Sequence, residues 1–310
     1  MAKRAPKKYP SLRFFITVTI MIIVGLVLVL SVGFYYIKTS SILRKTSRDS
    51  IVRELNQVND TIQDQVEIID SIIPLFMSNE VIQNALENPG AGINYPFSVE
   101  RQMSYIYNSS ALSEKNFTDS IYIYNSRSTV YHAYTSGILE NVDDTSEFLQ
   151  STIDSANPHL MCYTSPLHDQ NMYFARNLYS SNSGNRIGMI VININAQKWI
   201  EYCSKTIDPS WFIMLFNKEF SLSSDSDFSK DQLLDLYSSL TAQKNSVLFK
   251  EQSFGGRDYF MASQSLERLG LTSAVAAPKD LLLENLNSTL KSYLLVTLAV
   301  ALLSLMAAFV

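Results

Sequence analysis

From Phe14 to Ile37 the chain runs 24 residues, FFITVTIMIIVGLVLVLSVGFYYI, without a charge. As a helix this stretch is long enough to cross about 30 Å of hydrocarbon. It is too long for the apolar core of a signal peptide, and no small-residue cleavage site follows it. Lys3, Arg4, Lys7, Lys8 and Arg13 crowd its N-terminal side, while Lys38, Arg44 and Lys45 lie beyond it. The denser positive cluster belongs in the cytoplasm. Tyr35 and Tyr36 fall where an interfacial aromatic belt is expected. A second uncharged run, Tyr293 to Val310, is 18 residues long and just long enough to bring the chain back. No basic residue closes that run, so a cut inside the second span is expected. The reading is a two-pass plasma-membrane protein: a basic cytoplasmic tail (1–13), transmembrane helices at 14–37 and 293–310, and residues 38–292 extracytoplasmic.

The next stretch organises everything outside the membrane. Ile51, Leu55, Val58, Ile62, Val66, Ile69, Ile73 and Phe76 recur at gaps of three and four, which places them on one face of a single long helix. Arg53, Glu54, Asn56, Gln57, Asn59, Asp60, Gln63, Asp64 and Glu67 between them suit water. Because this stripe begins almost where the span ends, it reads as a membrane-rooted spine and not as a surface helix of a soluble domain. It offers a seam for a homodimer, with holding the two sheets as the competing first duty.

Charge divides along the same lines. Between the spans lie all 29 acidic and 20 of the 25 basic residues, a net of −9. Such an ectodomain has no electrostatic case for nucleic acid. Two cysteines, Cys162 and Cys203, make no disulfide framework and read as small buried hydrophobes. Sequons at Asn59, Asn108, Asn116 and Asn287 matter only in a glycosylating host.

After the spine, Ser78 to Asn88 reads as a short helix capped by Ser78 or Asn79. Asn88-Pro89-Gly90-Ala91-Gly92 breaks it, and Pro96 opens another with Val99, Met103, Ile106 and Tyr107 on its buried side. From Asp119 the period changes to two. Ile121 to Tyr124, a turn at Asn125 to Ser128, and Thr129 to Tyr134 predict a hairpin. A helix at Asp143 to Ala156 and strands at Leu160 to Thr164, Met172 to Tyr179 and Ile187 to Ile194 follow. The order then repeats after a joining helix, Ala196 to Ile207. Trp211 to Phe216 and Phe220 to Leu222 make the second pair, Lys230 to Gln243 the helix, and Val247 to Glu251, Tyr259 to Ser265 and Leu271 to Ala276 the strands. Local wording recurs too: Tyr173-Phe174 against Tyr259-Phe260, and Gly188 against Gly270. Two copies of β-β-α-β-β-β, each with one antiparallel sheet, are expected along the spine.

This order of elements resembles a double-Cache sensor, the PAS-like extracytoplasmic region of bacterial membrane receptors. The residues that carry the resemblance are Ser11-Leu12-Arg13, Asn79-Glu80-Val81-Ile82-Gln83-Asn84-Ala85-Leu86, Phe174-Ala175-Arg176 and Gly188-Met189-Ile190-Val191-Ile192-Asn193-Ile194. The wording is most similar to sensor histidine kinases that join such a region to a cytoplasmic HAMP segment and kinase. Chemoreceptors, diguanylate cyclases and membrane-bound AraC-type regulators share the architecture. The resemblance implies an α+β fold: a long membrane-rooted helix and distal helices (38–118), a membrane-distal Cache module (119–207), a membrane-proximal one (208–280) and an exit helix (281–292), flanked by two transmembrane helices. It implies a small-molecule ligand, a homodimer and a cytoplasmic response regulator as partners, and no cofactor. The Tyr/Arg/Trp/Asp signature of amino-acid-binding double-Cache domains is not matched in the distal module, so amino-acid binding is not implied.

Catalytic chemistry finds no foothold in the sequence, which has no HExxH, G-x-S-x-G, glycine-rich phosphate loop or CxxC. His159, Cys162, His168 and Asp169 match no zinc spacing and read as loop polarity. The functional signal is aromatic. Ten of the 17 tyrosines lie between Tyr95 and Tyr179, and a tyrosine offers a flat apolar face with one hydrogen-bonding tip. Strand alternation puts Tyr122 and Tyr124 on one face, with Tyr131 expected near them across the hairpin. Tyr173, Asn177 and Tyr179 share one face of their strand, and Phe174 and Arg176 the other. Arg176 is read either as a clamp for a ligand's carboxylate or phosphate or as the partner of a structural Asp. The expected ligand-binding set is Tyr122, Tyr124, Tyr131, Tyr134, Tyr173, Arg176 and Asn177. The second module, poorer in tyrosine, reads as a spacer that relays motion. A stand-alone membrane-anchored binding protein is the alternative reading from the sequence.

Overall fold

The computed structural model describes residues 12–88, 95–125, 130–134, 158–164, 171–218, 220–225, 230–240, 246–282 and 291–300. The chain divides into two compact units, residues 1–49 with 279–310, and residues 50–278. Helix α1 (Leu12–Met77) is one uninterrupted element of 66 residues, so the expected span and the expected spine are a single helix. Its junction, KTSSILRKTSRD from Lys38 to Asp49, contains neither Gly nor Pro and gives the backbone no reason to stop.

In the first unit, the apolar part of α1 is long enough to cross a membrane and buries none of its most apolar stretch, as suits a lipid-facing surface. The helix Lys291–Val300 is apolar but shorter, and the remainder of the expected second span, 301–310, lies outside the described residues. Tyr35 stacks on Tyr293, ring centroids 4.7 Å apart and planes 8° from parallel. One aromatic from each uncharged run thus meets the other.

In the second unit the stripe does what its period requires. Ile51, Leu55, Val58, Ile62, Val66, Ile69, Ile73 and Phe76 are all at most 2% exposed. The stripe is therefore consumed within one chain and is not available as a homodimer seam; the face that α1 leaves in water is the polar one. Helix α2 (Glu80–Glu87) is capped by Asn79, whose Oδ1 accepts from the backbone N–H groups of Val81 and Ile82. Helix α3 (Tyr95–Asn108) buries Val99, Met103, Ile106 and Tyr107.

Two five-stranded antiparallel sheets follow, with the same order. The first module contains β1 (Thr118–Asn125), β2 (Val130–Tyr134), β3 (Met161–Thr164), β4 (Asn171–Tyr179) and β5 (Arg186–Asn195), arranged β2-β1-β5-β4-β3. Helix α4 (Ala196–Ser204) leads on to the second module. There β6 (Phe212–Phe216), β7 (Ser221–Ser223), helix α5 (Lys230–Leu240), β8 (Leu248–Phe254), β9 (Arg257–Leu266) and β10 (Leu271–Pro278) give the order β7-β6-β10-β9-β8. The helix expected at 143–156 lies outside the described residues, as does the turn 126–129.

Each sheet turns an apolar face to α1. Ile121, Ile123, Phe174, Ile190, Ile192 and Ile194 are fully buried on that face of the first sheet, and Ile213, Leu215, Ala262, Val275 and Ala277 on that of the second. The indole of Trp199 in α4 packs edge-on against Phe174, 6.1 Å away. Polar bonds fix the helix to both sheets. Asp70 accepts from Arg176 of β4 at 2.9 Å, while Asn59 donates to Gln264 Oε1 at 2.8 Å and accepts from Ser273 at 2.6 Å.

The glycine correspondence is corrected by the backbone. Gly270 (φ +64°) sits in the left-handed turn before β10, and its counterpart is Gly184 (φ +69°) in the turn before β5. Gly188 lies inside β5, where strand β1 comes too close for a side chain. Cys162 and Cys203 are both free thiols. Cys203 is fully buried and its thiol is pushed up to about 12 by desolvation.

Candidate functional site

The face of the first sheet turned away from α1 combines tyrosine, asparagine and small apolar side chains. It carries Tyr122 and Tyr124 from β1, Met189, Val191 and Asn193 from β5, Tyr173, Ala175 and Asn177 from β4, and Tyr163 from β3. Across the strands, Tyr173 stands between Tyr163 and Asn193; Ala175 stands between Met161 and Val191, and Val191 pairs with Tyr122. Asn177 pairs with Met189, which pairs in turn with Tyr124. The small side chains of Ala175 and Val191 thus form a floor with tyrosine or asparagine at three sides. Tyr122, Tyr173, Ala175, Met189 and Val191 pack together, with Tyr124 and Tyr163 against them. The rings of Tyr122 and Tyr124 lie 6.5 Å apart at 35°. Asn177 and Asn193 are buried, 2% and 1% exposed. They place two amides, each able to donate and accept, among the tyrosines of this face.

Of the residues singled out in the sequence, Tyr122, Tyr124, Tyr173 and Asn177 come together on this face. Tyr131 does not. It pairs with Ile123 across the hairpin, so alternation turns it to the α1 face, where it is buried. Its expected place beside Tyr122 was one residue out of register. Tyr134 pairs with Ser120 through its backbone; its side chain is not among those described. Arg176 also faces α1, where it donates to Asp70 and, from Nε, to the carbonyl of Pro158 at 2.7 Å. Of its two readings, the structural aspartate has the geometry. Tyr163 and Asn193 were missed: Asn193 sits in a strand that is otherwise apolar nearly throughout, and a period of two gives no signal there. His168 and Asp169 lie outside the described residues. Among the described residues no group of His, Cys, Asp and Glu side chains is placed to hold a metal ion.

The second module supplies an internal reference. Aligning the sheets by register matches Tyr173 with Tyr259, Ala175 with Met261, Asn177 with Ser263, Tyr122 with Phe212, Tyr124 with Met214 and Val191 with Ala276. There the face is closed by α5. Leu233, Leu236 and Leu240 pack on Phe212, Met214, Phe216, Tyr259 and Met261. Ser263 Oγ donates to the carbonyl of Leu240 at 2.7 Å, tying the helix end to the sheet. The same backbone thus carries Phe, Met and Met in one copy where it carries Tyr, Tyr and Ala in the other.

No family model matches the chain, and no curated protein matches its sequence. Solved structures do. The ligand-binding domain of the Campylobacter jejuni chemoreceptor Tlp3, in complex with L-norvaline, superposes with a TM-score of 0.52 at 14% identity, over 77% of this chain and 94% of that one. The sensor domain of the V. cholerae histidine kinase DctB gives 0.51 at 14%, over 78% and 99%. The ligand-binding domain of Mlp24 with asparagine gives 0.51 at 10%, over 80% and 98%. At these identities the likeness is one of fold. The chain has the double-module, Cache-type fold of the sensory domains of chemoreceptors and histidine kinases.

Proposed function

We propose that the chain is the sensing region of a transmembrane receptor and that a small-molecule ligand binds on the tyrosine face of the first, membrane-distal module. The observation that carries this reading is the difference between the two copies of one sheet. In the second module the face carries Phe212, Met214, Phe216, Met261 and one tyrosine, Tyr259, packed under the leucines of α5. The first module has a small floor rimmed by tyrosine rings and buried amides, the mix of apolar walls and few placed polar groups that small-molecule sites use. Tyr122, Tyr124, Tyr163 and Tyr173 supply flat faces for stacking, while Asn177 and Asn193 supply donors and acceptors. Tyr131 and Arg176 act behind the sheet, as packing and as support for β4.

The ligand shifts the balance between two arrangements of the modules on α1, which requires a difference in its affinity for them. The second module passes the shift to the second span and a cytoplasmic output. We favour a histidine kinase acting as a homodimer on a response regulator, a preference supported by the sequence resemblance and by the similarity to DctB. A chemoreceptor output is the second reading, favoured by the similarity to Tlp3 and Mlp24.

The test is a fusion of residues 1–310 to the cytoplasmic part of a characterised sensor kinase with a transcriptional reporter, exposed to a metabolite panel. At least one compound should change reporter output, and Tyr173→Ala or Asn177→Leu should abolish the response with membrane levels unchanged. A response that survives both substitutions would place the site elsewhere.

A further inference from the structure

We infer that Asp70 is the joint through which the two modules sense each other's position. Its carboxylate is shared. Oδ1 accepts from Nη1 of Arg176, in β4 of the first module, at 2.9 Å, and Oδ2 accepts from Nη2 of Arg268, in the turn Glu267–Leu269 of the second module, at 3.3 Å. One side chain of the spine therefore holds one cation from each module. The two guanidinium groups repel each other, and the carboxylate between them offsets that repulsion where β3 and the turn 267–269 already lie side by side.

Arg176 is the sole charged residue of β4. Its neighbours Ala175 and Asn177 belong to the tyrosine face, so β4 carries that face on one side and the Asp70 contact on the other. A displacement of β4 changes the Arg176 to Asp70 distance and, with it, how much of the carboxylate's charge Arg268 feels. Both cations have room to respond. Arg176 borders a groove of about 260 Å³ with Ile73, Met77 and Pro158. Arg268 borders one of about 490 Å³ that runs along α1 past Asp60 and Gln63. The three side chains are 28–47% exposed, which keeps the coupling modest and the joint able to open. A fully buried triad would lock the modules instead.

The joint is independent of which ligand the tyrosine face takes, and so is its test. Hydrogen exchange is followed on the full chain in nanodiscs, without added ligand. Arg268→Gln should raise exchange at the amides of Arg176 to Tyr179 by about two- to fivefold, the range of a partly exposed ion pair, although the substitution lies in the other module. Arg176→Gln should do the same to residues 267–272, and Asp70→Asn to both segments. Arg257→Gln, at the exposed start of β9, should leave β4 as it is. The inference is overturned if Arg268→Gln changes exchange only around its own turn. It is equally overturned if the rise is uniform and includes the central amides of β5 and β10, because that would be loss of global stability. Neither result bears on whether the tyrosine face binds a ligand.

Discussion

A methyl group added at position 188 would lie 2.3 Å from the carbonyl oxygen of Tyr124 and 3.1 Å from Leu86 Cδ2. Strand β1 and helix α2 approach β5 so closely there that the absence of a side chain is a packing requirement. The first obstacle is backbone, which cannot rotate away. Gly188→Ala should therefore cost about 1–3 kcal/mol, at the upper end for overpacking, measured by denaturant unfolding; a loss below 0.5 kcal/mol would mean that β1 yields freely. The sequence showed a glycine at 188 but not this reason for it. Its likeness to Gly270 was positional, whereas the left-handed turn role belongs to Gly184. Arg176 teaches the same lesson. Its lone charge in a strand was visible, but its partner Asp70 is 106 residues away, and no local pattern encodes a contact at that distance. Tyr131 fell on the other face because register, which alternation alone does not supply, decides it.

At the scale of elements, the spine carries the fold. Leu55 and Ile69 are fully buried in the stripe, while the exposed Gln63 bonds along the helix, to Glu67. Leu55→Ala or Ile69→Ala should lose about 2–5 kcal/mol, the transfer term plus the cavity left behind, whereas Gln63→Ala should stay within about 0.5 kcal/mol. Equal losses in the two classes would mean that the stripe is not the seat of the sheets. This element was legible because eight apolar residues at a 3.6-residue period admit one geometry. The strands were legible for the corresponding reason. All ten with their order of appearance follow from alternation and from the turns between them, with ends moved by up to about three residues. What alternation withheld was pairing order. That emerges only when β1 and β5, separated by some sixty residues of chain, lie side by side in the sheet centre.

At the scale of the whole molecule, the chain contains its own control experiment. Two sheets of the same order are read in the same register, and the face turned away from α1 carries Phe212, Met214 and Met261 under the leucines of α5 in one, and Tyr122, Tyr124 and Ala175 beside buried asparagines in the other. The clustering of tyrosine between Tyr95 and Tyr179 was visible in the sequence, but its meaning depended on which strand face each ring occupies. The measurement that tests the account most directly is a thermal-shift panel of small metabolites on the purified full chain in nanodiscs, run beside Ala175→Met. That substitution copies Met261 of the second module and fills the floor between Tyr122 and Tyr173 with an apolar side chain. The account predicts that at least one compound raises the melting temperature of the parent chain and that the shift is lost in Ala175→Met, with the uncomplexed variant still folded. A compound that stabilises both chains equally would contradict the placement of the ligand on this face.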